Sequence, residues 1–120
     1  MTTATAERLL ADHINVPKPQ QPSQQTIYIT GLTYENREFT FARELAVEVT
    51  WDGEGWIYEV EQYGINGFAR DQQEANFVFR ETFDACWEHI ACAEDHELSE
   101  SARDLKTELR SLVSNTRQIE

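Results

Sequence analysis

Residues 44–65 read ELAVEVTWDGEGWIYEVEQYGI, and this stretch carries the clearest structural pattern in the chain. Between its two halves lies Asp52-Gly53-Glu54-Gly55, a tight-turn sequence, because Asp-Gly tolerates the positive φ that hairpin turns need. Apolar residues occupy every second position on both sides of that turn, which is the spacing of strands with one buried face. The stretch therefore predicts a β-hairpin. Its alternating apolar positions are Leu45, Val47, Val49 and Trp51 before the turn and Trp56, Tyr58 and Val60 after it.

The segments on either side of the hairpin extend this sheet. Upstream, residues 26–34 (TIYITGLTY) are β-branched and aromatic, and Phe39 and Phe41 resume the alternation after an Asn36-Arg37 turn. Downstream, residues 64–69 are short and rich in glycine, which favours a bend or a brief edge pairing. We therefore expect an antiparallel sheet of three to four strands within residues 26–68.

Two helices are predicted after the sheet. Asp71 is placed to cap the first, with Glu74 three residues later as in a capping box, and this helix runs to about Ala91 with a broad apolar face. Ser99 and Glu100 begin a last helix that continues to about residue 114. The broad face predicts that helix 71–91 covers the sheet.

The N-terminal part of the chain has a different composition. Residues 2–14 place apolar side chains at helical spacing, which predicts a short amphipathic helix. Residues 15–25 (NVPKPQQPSQQ) hold all three prolines and four glutamines, which is typical of an extended linker. The predicted fold is α+β: residues 1–25 form an N-terminal helical arm and a Pro/Gln-rich linker, and residues 26–120 form one domain with a long covering helix and a C-terminal helix.

Charge narrows the choice of partners. The 120 residues include 22 acidic and 10 basic ones, for a net charge of -12. Residues 44–100 alone hold fifteen acidic residues and two basic ones, Arg70 and Arg80, so the flanking segments are nearly neutral. Binding to nucleic acid requires clustered basic groups, so direct nucleic-acid binding is not expected. The acidic segment favours a partner with a basic surface, although net charge also serves solubility alone.

No targeting or membrane segment is expected. The chain has no run of about 18 apolar residues, and its first residues, MTTATAERLLADH, lack the basic start and apolar core of a secretory signal. Cys86 and Cys92 in an unexported chain are expected to be reduced thiols. We therefore expect a cytoplasmic protein that does not enter membranes.

Candidate chemistry is sparse. Cys86, His89, Cys92 and His96 are residue types that suit zinc, but on one continuous helix Cys92 turns well away from Cys86, so neither a metal nor a cofactor is expected. The chain contains no Gly-x-Ser-x-Gly, phosphate-binding Gly loop or Gly-x-Gly-x-x-Gly. Its paired acids are expected to form a solvated face. These features predict a protein that is not an enzyme.

Trp51 and Trp56 flank the predicted hairpin turn and allow two interpretations. They pack against each other across the strands, or they form an exposed aromatic anchor within an acidic rim, as binding hot spots do. On the second interpretation the partner-binding residues are Trp51, Asp52, Glu54, Trp56, Glu59 and Glu61.

The last helix carries a narrow leucine stripe that also allows two interpretations. The stripe folds back over the sheet, or it forms the interface of a homodimer, since a two-fold interface uses one patch twice. The dimer is favoured slightly, because helix 71–91 already has enough apolar width to cover a small sheet. The interface residues would be Leu98, Leu105, Leu109 and Leu112.

Residues 44–92 resemble HicB-like antitoxins. The likeness lies in the acidic Gly turn Asp52-Gly53-Glu54-Gly55, the short strand with Gly64 and Gly67, and the helix start at Asp71 with Glu74-Ala75. The resemblance implies a β-sheet with one covering helix that binds and neutralises a basic nuclease toxin.

The chain departs from that family in two places. Ala69-Arg70-Asp71 stands where the family commonly has Gly-Asp-Thr, and nothing after Ala91 is basic enough for an added DNA-binding module. The leading expectation is a non-enzymatic acidic protein-binding module, such as an antitoxin-like inhibitor of a basic partner. The alternatives are a self-associating structural scaffold and an acidic mimic of nucleic acid.

Overall fold

The computed structural model describes residues 9–119 and has an α+β architecture with a five-stranded antiparallel sheet. The α+β class and the antiparallel sheet under a long helix are therefore confirmed. The elements are β1 Ser23–Tyr34, β2 Arg37–Trp51, β3 Trp56–Val60, β4 Ile65–Ala69, α1 Gln72–Cys86, α2 Glu100–Leu112 and β5 Val113–Gln118.

The long strand β2 organises the sheet. β1 pairs with it along one edge, from Tyr34 opposite Arg37 to Ser23 opposite Trp51. Two strands share its other edge: β3 pairs with residues 48–51 and β5 pairs with residues 37–41. β4 pairs with the edge of β3 that faces away from β2. The fifth strand was not predicted, because VSNTRQ lacks the apolar alternation that marks a strand with one buried face.

The predicted hairpin is confirmed. In β2 and β3 the alternating apolar residues are buried, and the residues between them are more exposed. Asp52 shapes the turn, because its Oδ1 accepts hydrogen bonds from the backbone N–H groups of Glu54 and Gly55, each at 2.8 Å. Gly53 supplies the positive φ, at 101°.

One face of the sheet and the helices enclose the core. The Asp71 cap predicted for α1 is present, with its side chain accepting from the Glu74 N–H at 3.1 Å. Phe83 of α1 meets Phe39 of β2 edge-on, with ring centroids 5.1 Å apart. The helix continues beyond Cys86 as one π-helical turn that ends at Ala91, as the apolar pattern predicted. Ser99 caps α2 by accepting from the Ala102 N–H.

The predicted N-terminal helical arm is wrong for the residues that the structure describes. Ala11–His13 form a single 3-10 turn, and residues 2–8 of the predicted helix lie outside the described residues. Ala11, Ile14 and Val16 are buried in the same core as the sheet and α1. The apolar spacing therefore reflects side chains that enter the core from an irregular segment.

Gln72 fastens this segment to the domain. Its Oε1 accepts hydrogen bonds from the Val16 N–H and the Tyr58 hydroxyl, and its Nε2 donates to the Val16 carbonyl, each at 2.8 Å. The two bonds with Val16 engage both its N–H and its carbonyl, as the backbone of a neighbouring strand would. The side chain thus links the N-terminal segment, β3 and α1.

Replacing Gln72 by alanine is expected to lower the free energy of unfolding by about 1–3 kcal/mol, because buried hydrogen-bonding groups lose their partner. The Val16 amide should also exchange its hydrogen faster. Denaturant titration and amide exchange measure the two effects. Gln73→Ala is the matched control, since Gln73 is exposed on the same helical turn. Equal losses in the two variants would contradict the role given to Gln72.

Within residues 9–119, none of the helices combines the length and apolar character needed to cross a membrane.

Candidate protein-binding surface

The two tryptophans at the hairpin turn pack together in the core. Trp51 and Trp56 are opposite each other in the β2–β3 ladder, their ring centroids lie 5.3 Å apart, and they are only 7% and 5% exposed. The Lys18 ammonium covers the Trp51 ring at 4.7 Å from its centroid. The cross-strand packing interpretation is therefore confirmed, and the exposed aromatic anchor at Trp51 and Trp56 is wrong.

The two acids of the turn are exposed. The backbone N–H groups of Glu54 and Gly55 hold the pKa of Asp52 below its ordinary value, because they stabilise the charged carboxylate. Asp52 is therefore ionised at neutral pH, and one of its oxygens is already used by the turn.

The sheet surface opposite the buried side chains forms what we call the open face. It is made of the residues that alternate with the buried ones along β1 to β4, and all of them are exposed or partly exposed. Its members are Gln24, Thr26, Tyr28, Ala46, Glu48, Thr50, Ile57, Glu59, Asn66 and Phe68.

Two acidic residues occupy directly opposed positions at the centre of the open face. Glu48 of β2 lies directly opposite Glu59 of β3, and Glu61 follows at the end of β3. Glu48 and Glu61 line the same shallow depression. Like charges in directly opposed positions destabilise a sheet. The structure thus brings two predicted binding residues, Glu59 and Glu61, together with a third acid.

The acids of the open face lack cationic neighbours. Of the ion pairs formed within the described part of the chain, none involves Glu48, Glu59 or Glu61. Glu48 instead accepts hydrogen bonds from the Thr26 hydroxyl at 2.7 Å and from Gln24 Nε2 at 3.0 Å. These bonds orient the carboxylate towards β1 and leave its charge uncompensated.

Three acids on the helical side of the molecule do have cationic partners. Arg37 pairs with Asp84 and Glu88, and Lys106 pairs with Asp95 at 2.8 Å. Arg37 lowers the pKa of Glu88, as expected for a carboxylate beside a guanidinium. Acids without an ion-pair partner among the described residues therefore lie on the open face, at Glu48, Glu59 and Glu61, and also on the helical side, as at Glu74 and Glu108.

Two aromatic rings flank the acids of the open face. Tyr28 of β1 is 55% exposed and Phe68 of β4 is 57% exposed, while Ile57 beside Phe68 is partly exposed. Exposed aromatic side chains next to charged ones are typical of binding surfaces. Sequence reasoning missed Tyr28, Phe68 and Glu48. The signal that could have found them is the alternation along each strand, because Tyr28, Glu48 and Phe68 each lie between two more deeply buried residues.

The leucine stripe is divided between the core and the surface. Leu109 and Leu112 are fully buried within the chain, whereas Leu98 and Leu105 are partly exposed. The first two therefore cannot offer a surface to a second copy, and the predicted four-leucine dimer interface is wrong for them. Leu109 and Leu112 instead join the core, and α2 lies chiefly against the π-helical turn after α1 and to a smaller extent against β2.

The cysteine and histidine residues near the end of α1 differ in their burial. Cys86 is partly buried, and Cys92, His89 and His96 are exposed. Burial raises the pKa of the Cys86 thiol, so the reactive thiolate is disfavoured. Among residues 9–119, no group of three His, Cys, Asp or Glu side chains is arranged to hold a metal ion.

A polar cavity of about 320 Å³ lies between the N-terminal turn and α1, and its polar groups mostly bind one another. Arg80 donates from Nε to Asn76 Oδ1 at 2.7 Å and from Nη1 to the Thr33 carbonyl at 2.8 Å. Asn76 in turn donates to the Ala11 carbonyl at 2.8 Å. This network holds the N-terminal segment in place, so the open face is the better candidate for binding.

Comparisons of this chain with protein-family models, with curated proteins and with solved structures find no match.

Proposed function

We propose that this protein is a non-enzymatic binding module that holds a basic partner protein on its open face. The observation that carries the proposal is the directly opposed pair Glu48 and Glu59, which is partly exposed and forms no ion pair with a described residue. A like-charge pairing that breaks the usual rule for strand neighbours and lacks a compensating cation marks a candidate functional site. A lysine or arginine side chain of a partner would remove the repulsion by lying between the two carboxylates.

The aromatic side chains favour a protein as the partner. Tyr28 and Phe68 offer large, rigid contact areas that bury apolar surface at low entropic cost. An acidic mimic of nucleic acid would need the carboxylates alone. Carboxylates at the centre with aromatic rings beside them suit a protein surface on which basic and apolar side chains are mixed.

Self-association through the open face is disfavoured by charge. A two-fold interface brings the same patch of both copies together. Glu48, Glu59 and Glu61 of one copy would then approach the same acids of the other. A different protein with positive charge is the better occupant, and the acidic field of the module would speed its approach.

The resemblance to HicB-like antitoxins supports a more specific proposal, that the partner is a basic nuclease which the module inhibits. Part of the open face lies within residues 44–92, which carry the resemblance, including Glu48, Glu59 and Phe68. Binding there would inhibit the nuclease by covering its basic surface. We also propose that this takes place in the cytoplasm.

Changing Glu48 and Glu59 together to glutamine is expected to weaken partner binding at low salt by about tenfold or more, because charge pairs at interfaces are coupled by upwards of 1.5 kcal/mol. The size and hydrogen-bonding capacity of the side chains are retained. Partners recovered by affinity capture would be identified by mass spectrometry and their binding then measured with purified proteins at several salt concentrations.

The matched control changes Glu74 and Glu97 to glutamine, which removes two exposed acids outside the sheet. This control should retain affinity, and the Glu48/Glu59 variant should unfold no more readily than the wild type. An affinity that depends neither on salt nor on Glu48 and Glu59 would contradict the proposal.

A further inference from the structure

The outer edge of β1 has backbone groups that point away from the sheet. β1 is the terminal strand of the sheet order, so only one of its edges is paired with β2. The Thr30 N–H points outward, because it donates to the Leu9 carbonyl at 2.8 Å. Backbone groups alternate in direction along a strand, so those of Gln24, Thr26 and Tyr28 point outward as well.

The chain already contacts this edge at one point. Leu10 forms an isolated parallel bridge with Gly31 of β1. Beside this bridge, the Leu9 carbonyl accepts the hydrogen bond from the Thr30 N–H. Within residues 9–119, no such backbone hydrogen bond reaches the outward groups of Gln24, Thr26 or Tyr28. The part of this edge that precedes Thr30 therefore remains open to a further strand.

This edge lacks the features that normally prevent strand addition. Natural edge strands are protected by charged side chains, proline, bulges or short length. Residues 23–29 read SQQTIYI, without charge or proline, and their pairing with β2 is unbroken from Ser23 to Ile29. The first irregularity comes between Ile29 and Gly31. Seven regular residues are long enough for a peptide to pair with.

We infer that an extended basic segment of the partner adds to the sheet as a strand along β1, at residues 23–29. This inference rests on the proposed function, which it deepens by naming the form in which the partner binds. Strand addition gains affinity from backbone hydrogen bonds and specificity from alternate side chains. The added strand would extend the open face by one strand.

Charge and burial define the sequence of that segment. Side chains on one side of the added strand would lie beside Thr26 and Tyr28, where Glu48 is already turned towards β1 by its bonds to Thr26 and Gln24. Lysine or arginine there reaches Glu48. Side chains on the other side would lie beside Ile27, which packs partly buried against the core. The expected segment therefore alternates basic and apolar residues.

The test uses a synthetic ten-residue peptide of alternating lysine and valine with the full chain. Binding should slow hydrogen exchange at the amides of Thr26 and Tyr28, as measured by NMR. Thr26→Pro removes one outward N–H at an edge position where proline is tolerated, and should weaken binding about tenfold. Thr26→Val is the matched control, because it also loses the hydroxyl bond to Glu48 but keeps the N–H.

The peptide itself supplies a second test that leaves the protein unchanged. N-methylation of alternate peptide residues removes their N–H donors. Methyl groups on the set that faces β1 should abolish binding, whereas methyl groups on the other set should be tolerated. This comparison remains decisive if Thr26→Pro fails to fold.

The other outcomes separate this inference from the proposed function. Binding that depends on Glu48 and Glu59, yet ignores Thr26→Pro and both methylation patterns, overturns strand addition and leaves the open-face proposal standing. No binding of the peptide by the wild type also overturns strand addition, whereas the proposed function is judged by the captured partner. A wild-type dimer that Thr26→Pro dissociates would assign the edge to a second copy.

Discussion

Replacing Gly67 by alanine is expected to lower the free energy of unfolding by about 3 kcal/mol or more, the upper range for overpacking in a core. A Cβ at this position would lie 2.4 Å from the Phe79 backbone nitrogen and 2.5 Å from the Ala75 carbonyl oxygen. Both atoms belong to the backbone of α1 and cannot rotate away. The helix would have to move off β4, and that movement would loosen the packing of the fully buried Phe79.

Gly64→Ala is the matched control for this prediction. Gly64 has a φ of 67°, and a Cβ there would meet no atom within 4 Å. Its replacement should cost only about 1 kcal/mol, the strain of a left-handed conformation. Denaturant unfolding of both variants checks the difference. Equal losses would mean that α1 does not lie as close to β4 as we describe.

Shortening Leu109 to alanine is expected to cost about 2–5 kcal/mol, because the side chain is fully buried and its removal leaves a cavity. Leu105→Ala, one turn earlier on α2 and partly exposed, should cost clearly less. Chemical denaturation followed by circular dichroism compares the two variants.

This pair of variants also decides between the two interpretations of the leucine stripe. A core residue alters stability at every protein concentration, whereas an interface residue alters the association of copies. If Leu109→Ala converted a dimer into an equally stable monomer in sedimentation experiments, the stripe would be an interface, and its placement in the core would be incorrect.

The elements with strong local signals could be predicted from the sequence. The hairpin combines period-two alternation with an Asp-Gly turn, and both features act within 22 residues. The start of α1 was equally predictable, since the Asp71 side chain caps a backbone N–H only three residues away. These contacts depend on neighbours in the chain and are visible without knowledge of the tertiary structure.

Elements that depend on distant contacts were not predicted correctly. The segment around Ala11 has the apolar spacing of a helix, but its conformation is set by Asn76 and Gln72, whose bonds span the chain. β5 has a polar sequence and is stabilised by the ladder that β2 offers it. The secondary-structure propensity of a segment is overridden when residues distant in the sequence form its hydrogen bonds.

The candidate site was predicted only in part. Charge indicated the acidic hairpin, and Glu59 does lie on the open face. The alternation placed Trp51 and Trp56 on the apolar face of the hairpin, but it did not decide between cross-strand packing and an exposed anchor beside the turn. Tyr28 and Phe68 became candidates once four strands were aligned, because their exposure depends on which face α1 covers.

The shared edge of β2 has a consequence for the order of folding during synthesis. β1 to β4 and α1 leave the ribosome well before β5, which must return to pair beside Phe39 and Thr40. Ser114 donates its hydroxyl to the Thr40 carbonyl across 74 residues of sequence, a contact with a high cost of loop closure. Until then the edge of β2 around Phe39 and Phe41 that receives β5 has no partner strand. That edge is a natural point for a chaperone to hold the chain, or for two nascent chains to join wrongly.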